Sequence, residues 1–422
     1  MKKIISFVAA GVIASAMDIS TLLNALKKIP DTKIDFANVK EMKANKKEVV
    51  SAMYPKVTIL ANAVHYSNPY NLRPMPPTES HKIAMKGGGY WFSQNIQRIG
   101  FEASVPLFIK SIYDNKKKIQ HLLNAVKYKA KLNLLQRQAM LITYVSSLNY
   151  LYDLKKALLQ KQKSIQETRN AIAVGVKVGR IPEFKLLRLD DALNQIKIKI
   201  KEIDINIQKT KADIYKLTMI NIDSPVEFHI VRSINQKEFY ALKPLNEQLK
   251  ASDYSIKAAK DSFWPKVVVK IEGMRNFGRA YDNNKQLALN FASAGIYVSW
   301  DIFDKKSNAQ IQKAKIQAFK SSLMIQKTLK DLKAAVNQIR ENLKEIKSSI
   351  TLAKESLQLK KELLKSAKKA FELNTMTVDE YLQYEDDVAM AKANLASLEA
   401  KKYALFANLA FIYGNNFERI FK

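Results

Sequence analysis

The chain has 422 residues, with 11 glycines, 11 prolines and no cysteine, and 26% of its residues are charged. Scarce turn residues and abundant Lys, Glu, Leu, Ile and Ala argue for long helices and against an all-β protein. The lack of cysteine excludes a disulfide framework, a thiolate metal site and acylation of an N-terminal cysteine. A formal charge of +31 raises the question of nucleic acid. However, the lysines are spread among Glu, Gln, Asn and Ser on the polar faces of helical patterns, so the reading is a solvated surface with no nucleic-acid partner, suited also to an anionic lipid.

Taken in chain order, residues 1–16 read as a signal peptide: Lys2 and Lys3, an apolar run from Ile4 to Val12, and Ala14-Ser15-Ala16 before Met17. The run is too short to span a bilayer as a helix, and no later segment comes near the required length. Entry into a membrane after export therefore requires a closed β-barrel.

The remainder is a duplicated unit, 17–218 and 246–414, joined by a linker at 219–245 and followed by a tail at 415–422. Tyr54-Pro55-Lys56-Val57 returns as Trp264-Pro265-Lys266-Val267. Helices at about 38–53 and 246–263 precede these points, and an alternating strand follows each, at about 54–66 and 264–276. Second strands are expected at about 96–107 and 288–303. One constant offset then pairs Gly100 with Gly295, Ser104 with Ser299, Phe108 with Phe303, Gly179 with Asn374 and Asp191 with Asp386. A long loop, 67–94, separates the first two strands. Its Gly87-Gly88-Gly89 is followed by Tyr90 and Trp91, so it is no phosphate loop and reads as a flexible segment facing outside the cell.

Each pair of strands leads into a helical hairpin, at about 111–217 with its turn near 179 and at about 305–413 with its turn near 374. In the second, Ile325, Leu329, Leu332, Val336, Ile339, Leu343, Ile346, Ile350, Ala353, Leu357, Lys360, Leu364, Ala367 and Phe371 step by 4 and 3. This heptad seam demands coiled-coil packing along a helix of about 100 Å. A weaker seam, Tyr144, Leu151, Leu158, Ile165 and Ile172, marks the first. Linker 219–245, with Pro225 and Pro244, has no sustained period and reads as a girth segment with a short helix or strand.

Four strands per chain cannot close a barrel, and an open sheet in lipid would strand backbone groups, so several chains must share one barrel. Three would supply twelve strands. Tyr54, Tyr66, Tyr70, Tyr90, Trp91, Phe92, Trp264, Tyr297, Trp300 and Phe303 crowd the strand ends, where interface aromatics belong.

On the paired Tyr54-Pro55 and Trp264-Pro265 starts, the Gly100/Ser104/Phe108 and Gly295/Ser299/Phe303 transitions and the turns Val178–Phe184 and Leu373–Leu382, the chain resembles the TolC family of outer-membrane efflux proteins. The resemblance covers essentially all of the mature chain. It implies a mainly α fold with a small β part: a homotrimer whose 12-strand outer-membrane barrel continues as a periplasmic helical coiled-coil barrel. It implies the exit duct of a Gram-negative tripartite efflux or type I secretion system, with a periplasmic adaptor as partner. Through the adaptor it would meet an inner-membrane transporter of the RND, ABC or a similar class. Two departures stand in the turns. Asn374 replaces the usual glycine, and Pro182 the usual Ser or Thr, where it suits the first turn of the returning helix.

A conduit does no covalent chemistry, and no catalytic, cofactor or metal site is expected. His65, His81, His121 and His229 lack metal-ligand spacing. After the second turn lies an acidic cluster, Asp379, Glu380, Glu385, Asp386 and Asp387, in an otherwise basic chain. Glu380, Gln383 and Asp387 share one helical face. Threefold symmetry would make rings of them, and the resemblance places such rings at the positions of Glu380 and Gln383, so these three are the expected constriction of the periplasmic mouth. Gly179, Arg180, Asn374 and Thr375, at the turns, are the expected adaptor-docking tips. The competing readings are a periplasmic adaptor, disfavoured because this chain has two hairpins and little strand, and an exported coiled-coil structural protein.

Overall fold

The computed structural model describes residues 18–373 and 375–422. The signal-peptide reading of 1–16 and the turn residue Asn374 lie outside the described residues. In chain order the elements are α1 (Ile19–Ala25), α2 (Pro30–Ser51), β1 (Lys56–Asn71), α3 (Pro77–Met85), β2 (Phe92–Phe108), α4 (Lys110–Lys177), α5 (Glu183–Thr218), α6 (Leu242–Lys260), β3 (Lys266–Arg279), β4 (Gln286–Ser299), α7 (Lys305–Glu372), α8 (Val378–Tyr413) and α9 (Phe417–Ile420). The order helix, strand, strand, long helix, shorter helix thus occurs twice. The long helices are both 68 residues and the returning ones both 36. Among the described residues no helix is long and apolar enough to cross a membrane.

The chain divides into two compact units, each drawing on both copies of the repeat. The first takes residues up to Val39 with Lys127–Pro244 and Ile325–Lys422. Its core is centred on α4, whose Leu141, Ile142, Val145, Leu148 and Ile165 are fully buried. They belong to one cluster with Leu22 and Leu23 of α1, the α5 stripe Leu189, Leu193, Ile196, Ile200, Ile203 and Ile207, and Val226 and Phe228 of the segment after α5. All fourteen seam positions of α7 are buried or half-buried, while the positions between them are mostly exposed. The seam therefore lies where the spacing puts it.

Two segments carry more structure than their sequence suggests. The tail is part of the core: Phe417 and Phe421 are fully buried, and Ile230 bridges Phe421 in an antiparallel pair. There the Val231 N–H donates to the Ile420 carbonyl at 2.9 Å and the Lys422 N–H to the His229 carbonyl at 3.1 Å. Linker 219–245 is likewise buried at Ile222, Val226 and Phe228. Asn149 clamps it by donating to the Val226 carbonyl (2.7 Å) and accepting from its N–H (3.1 Å). Both segments are short and aperiodic, so tertiary contacts rather than local pattern decide their state.

The second unit comprises Lys40–Val126 and Leu245–Met324 and holds one antiparallel meander, β1-β2-β3-β4. The registers pair Ile59 with Phe101, Phe101 with Gly273 and Gly273 with Ala292. The 67–94 segment differs from a long flexible loop. β1 runs on to Asn71 across a bulge after His65, and α3 folds within the connection. Gly89 has φ +77°, and a Cβ there would stand 2.8 Å from the Ala280 Cβ. The glycine thus permits close packing against the β3–β4 turn and does not loosen the segment.

Candidate functional site

Alternation along each strand sorts the sheet into two unlike faces. One carries Val57 and Ile59, Ile99 and Phe101, Val267, Val269 and Ile271, and Ile296 and Val298, all brought side by side by the register. These side chains are open: Ile59 is 79%, Ile296 70% and Val298 66% exposed. The opposite face bears Thr58, Glu102, Glu272 and Ser293 in one cross-strand row and Lys56, Ser104, Lys270 and Gly295 in the next. Here the Ser293 hydroxyl donates to Glu272 Oε1 at 2.7 Å, and the Lys270 ammonium lies 5.3 Å from the Tyr297 ring.

A contiguous apolar face of this extent, backed by a charged one, makes the sheet strongly amphipathic. Trp264, Trp300 and Phe303 stand exposed at the helix-bearing end and Tyr281 at the turn-bearing end. Trp264 to Gly273 is nine residue steps, about 30 Å along a strand and about 23 Å when tilted by about 40°, close to the apolar band of about 25 Å that membrane barrels carry. Tyr66 and Tyr297 depart from the expected aromatic belt. The register puts Tyr297 on the polar face, and Arg98 of that face donates to the Tyr66 hydroxyl at 3.2 Å. β1 and β4 each pair on one side only.

At the second turn, Thr377 caps α8 in a reciprocal capping box. Its Oγ1 accepts from the Glu380 N–H (3.3 Å), while Glu380 Oε2 accepts from the Thr377 N–H (2.8 Å). The Thr377 hydroxyl also donates to Glu380 Oε2 at 2.8 Å. Bonds from the Thr377 backbone and hydroxyl hold the Glu380 carboxyl below its usual range. Glu380 and Gln383 are exposed on α8, and Asp387 is half-buried with Lys360 3.5 Å away. Lys360 is the one polar position of the α7 seam.

The rest of the acidic cluster faces the first hairpin. Asp379 pairs with Arg188 of α5, and Asp386 with Lys161 of α4. Glu385 is 5% exposed. Its Oε1 accepts from the Ser164 hydroxyl (2.5 Å) and the Tyr381 hydroxyl (2.7 Å). Tyr381 is fully buried, stacks on Phe371 at 4.9 Å, and is pushed by burial to a pKa of about 12. The sequence flags these acids, but not their attachment to Ser164 and Lys161, more than 200 residues away. Only a covarying partner would have signalled it.

At the first turn, Gly179 has φ +74° with open space around the position of a Cβ, and the Arg180 N–H donates to the Gly175 carbonyl at 2.9 Å. Pro182 sits one residue earlier than expected, as the N-cap of α5. At the second turn, Thr375 donates to the Ala370 carbonyl through both its N–H and its hydroxyl, each at 3.0 Å. Among the described residues no group of three or more His, Asp or Glu is placed to hold a metal.

No family model matches the sequence, and no curated protein does. Solved structures do. The outer membrane protein VceC from Vibrio cholerae matches with a TM-score of 0.76 at 11% identity, over 94% of this chain and 96% of that one. The CmeC outer membrane channel of Campylobacter jejuni matches at 0.73 and 17%, over 95% and 85%. The MtrE outer membrane channel of Neisseria gonorrhoeae, in its open state, matches at 0.76 and 13%, over 95% and 90%.

Proposed function

We propose that this chain, which has the fold of the TolC-type outer-membrane channels, is the outer-membrane exit duct of a Gram-negative efflux or type I secretion system. The observation that carries this reading is the sheet: an exposed apolar face across all four strands, a polar reverse face, and an unpaired edge on each side. Closing those edges with two further copies makes a twelve-strand barrel with lipid outside and water within, and leaves no unpaired backbone in the membrane. The helices then continue the duct on the periplasmic side.

In this reading the turns at Gly179, Arg180, Asn374 and Thr375 meet a periplasmic adaptor, which connects the duct to an inner-membrane transporter. Glu380 and Gln383, exposed and with no cross-helix ion pair among the described residues, line the mouth. Asp387 contributes less, because Lys360 offsets its charge.

Fractionation with unheated electrophoresis tests the whole. Heat-modifiable trimers in the outer membrane are expected; recovery in the soluble periplasm overturns the duct. Single-channel recording then tests the mouth. Glu380→Gln is expected to weaken cation selectivity more than Asp387→Asn, and unchanged selectivity in both removes these residues from the constriction.

A further inference from the structure

The apolar face does not run the full length of the strands. Along β3 the outward series Val267, Val269, Ile271, Gly273 continues as Arg275, Phe277 and Arg279. The register sets Asn290 beside Arg275, Gln97 beside Phe277 and Gln286 beside Arg279. Next in line on the neighbouring strands, His65 is paired with Asn95, their side chains 2.8 Å apart. The change occurs at the end bearing the strand turns, opposite the end where the strands join the helices. Both arginines are exposed, and neither has a carboxylate partner among the described residues; Arg275 lies 5.4 Å from the Phe277 ring. Asp282, the acid of the adjacent turn, is taken by the Tyr90 N–H at 2.7 Å. A groove of about 690 Å³ is lined here by Asn95, Gln97, Phe277, Arg279 and Gln286, with Tyr281 at its edge.

We propose that this collar binds the phosphorylated sugar headgroup of an outer-leaflet glycolipid, whose acyl chains lie along the apolar band below it. The inference rests on the membrane-barrel reading above, since that places the collar at the outer headgroup level. Arg275 and Arg279 stand on one strand face four residues apart, so their backbone positions are about 13 Å from each other. That spacing suits two phosphates at opposite ends of a disaccharide, each held by the planar fork that guanidinium offers and ammonium lacks. Asn95, Gln97, Gln286 and Asn290 supply amides for sugar hydroxyls, and Phe277 and Tyr281 supply faces for the sugar rings. A glycerophospholipid carries one phosphate and no sugar ring, and would leave most of these groups unused.

The full-length protein, extracted from outer membranes in detergent, is titrated with bis-phosphorylated lipid A, its dephosphorylated form and phosphatidylglycerol. Bound lipid per chain is read by native mass spectrometry. The wild type is expected to hold bis-phosphorylated lipid A at least about tenfold more tightly than either control. Arg275→Gln and Arg279→Gln should each lose part of that preference and the double variant all of it, with Arg→Lys at both sites restoring only part. Equal binding of phosphatidylglycerol or of dephosphorylated lipid A, or full retention by the double Gln variant, overturns the glycolipid site. The single variants keep the test decisive if the double variant does not assemble. A wild type absent from the outer membrane overturns the barrel reading itself; one present there, with binding indifferent to both arginines, overturns this inference alone.

Discussion

α4 and α7 have the same length and the same place in the repeat, yet they are buried very differently. α4 is enclosed: α1, α5, the 219–245 segment and α8 all contribute to the cluster around it, and Leu141, Ile142, Val145 and Leu148 are 0% exposed over two turns. α7 buries one narrow seam, chiefly Val336, Ile339, Ala353, Ala367 and Phe371, and leaves Leu352, Leu359 and Leu363 at 62%, 61% and 53% exposure. Those leucines recur at helical spacing on a face left more than half open. The first long helix is completed by its own chain, whereas the second has an apolar stripe left to cover. This asymmetry is what the proposed trimer requires, because a neighbouring copy must supply that cover.

The largest effect expected is at the enclosed helix. Leu148→Ala should cost about 3 kcal/mol by opening a cavity in a core that cannot collapse around it, read as a fall in the thermal midpoint of helical circular dichroism. Leu359→Lys should leave that midpoint within about 0.5 kcal/mol of the parent. It should instead deplete trimers on unheated gels. A Leu359→Lys protein with intact trimers would break the comparison, since the exposed stripe would then have no partner to lose.

The attachment of α8 to α4 carries the next effect. Tyr381→Phe removes the hydroxyl that donates to Glu385 and leaves the buried carboxylate with Ser164 alone, at a cost of about 1–3 kcal/mol. It also predicts a pH signature. The Tyr381 pKa of about 12 lies above the ordinary value of 10.0, so the folded state keeps its proton longer than the unfolded one. That stability is complete below about pH 10 and is lost as pH rises through about 12. The Phe variant should show a shallower alkaline limb in the thermal midpoint. Some slope must remain, because burial pushes Tyr240 to about 12 as well. An unchanged limb would place Tyr381 outside the network.

How much of this was legible in the sequence follows from the range of each interaction. The α7 seam and the sheet alternation are local periodicities, and they located the long helices and the strand pairs. The capping box is local too, written in Thr377 and Glu380 three residues apart. The collar is written in the same alternation, which carries the β3 series past Gly273 to Arg275 and Arg279. The packed tail, the buried 219–245 segment and the Ser164–Tyr381–Glu385 network were not legible. Each depends on partners scores to hundreds of residues distant, and Phe417, Phe421 and Val226 sit in no repeating pattern.

The two turns extend the comparison to its smallest expected effect. The first closes on Gly179 at φ +74°, with no described atom beyond its own chain neighbours within 4 Å of where a Cβ would stand, while the sequence puts Asn374 at the matching place of the second. With no steric clash, a side chain at Gly179 costs only what its backbone charges for the left-handed region. Gly179→Ala should therefore lose about 1 kcal/mol, and Gly179→Asn only a few tenths, because a short amide visits that region more readily. Thermal midpoints of the two variants measure the difference. Equal losses would mean that the turn excludes side chains for their bulk, as an adaptor seated close against the backbone would make it do.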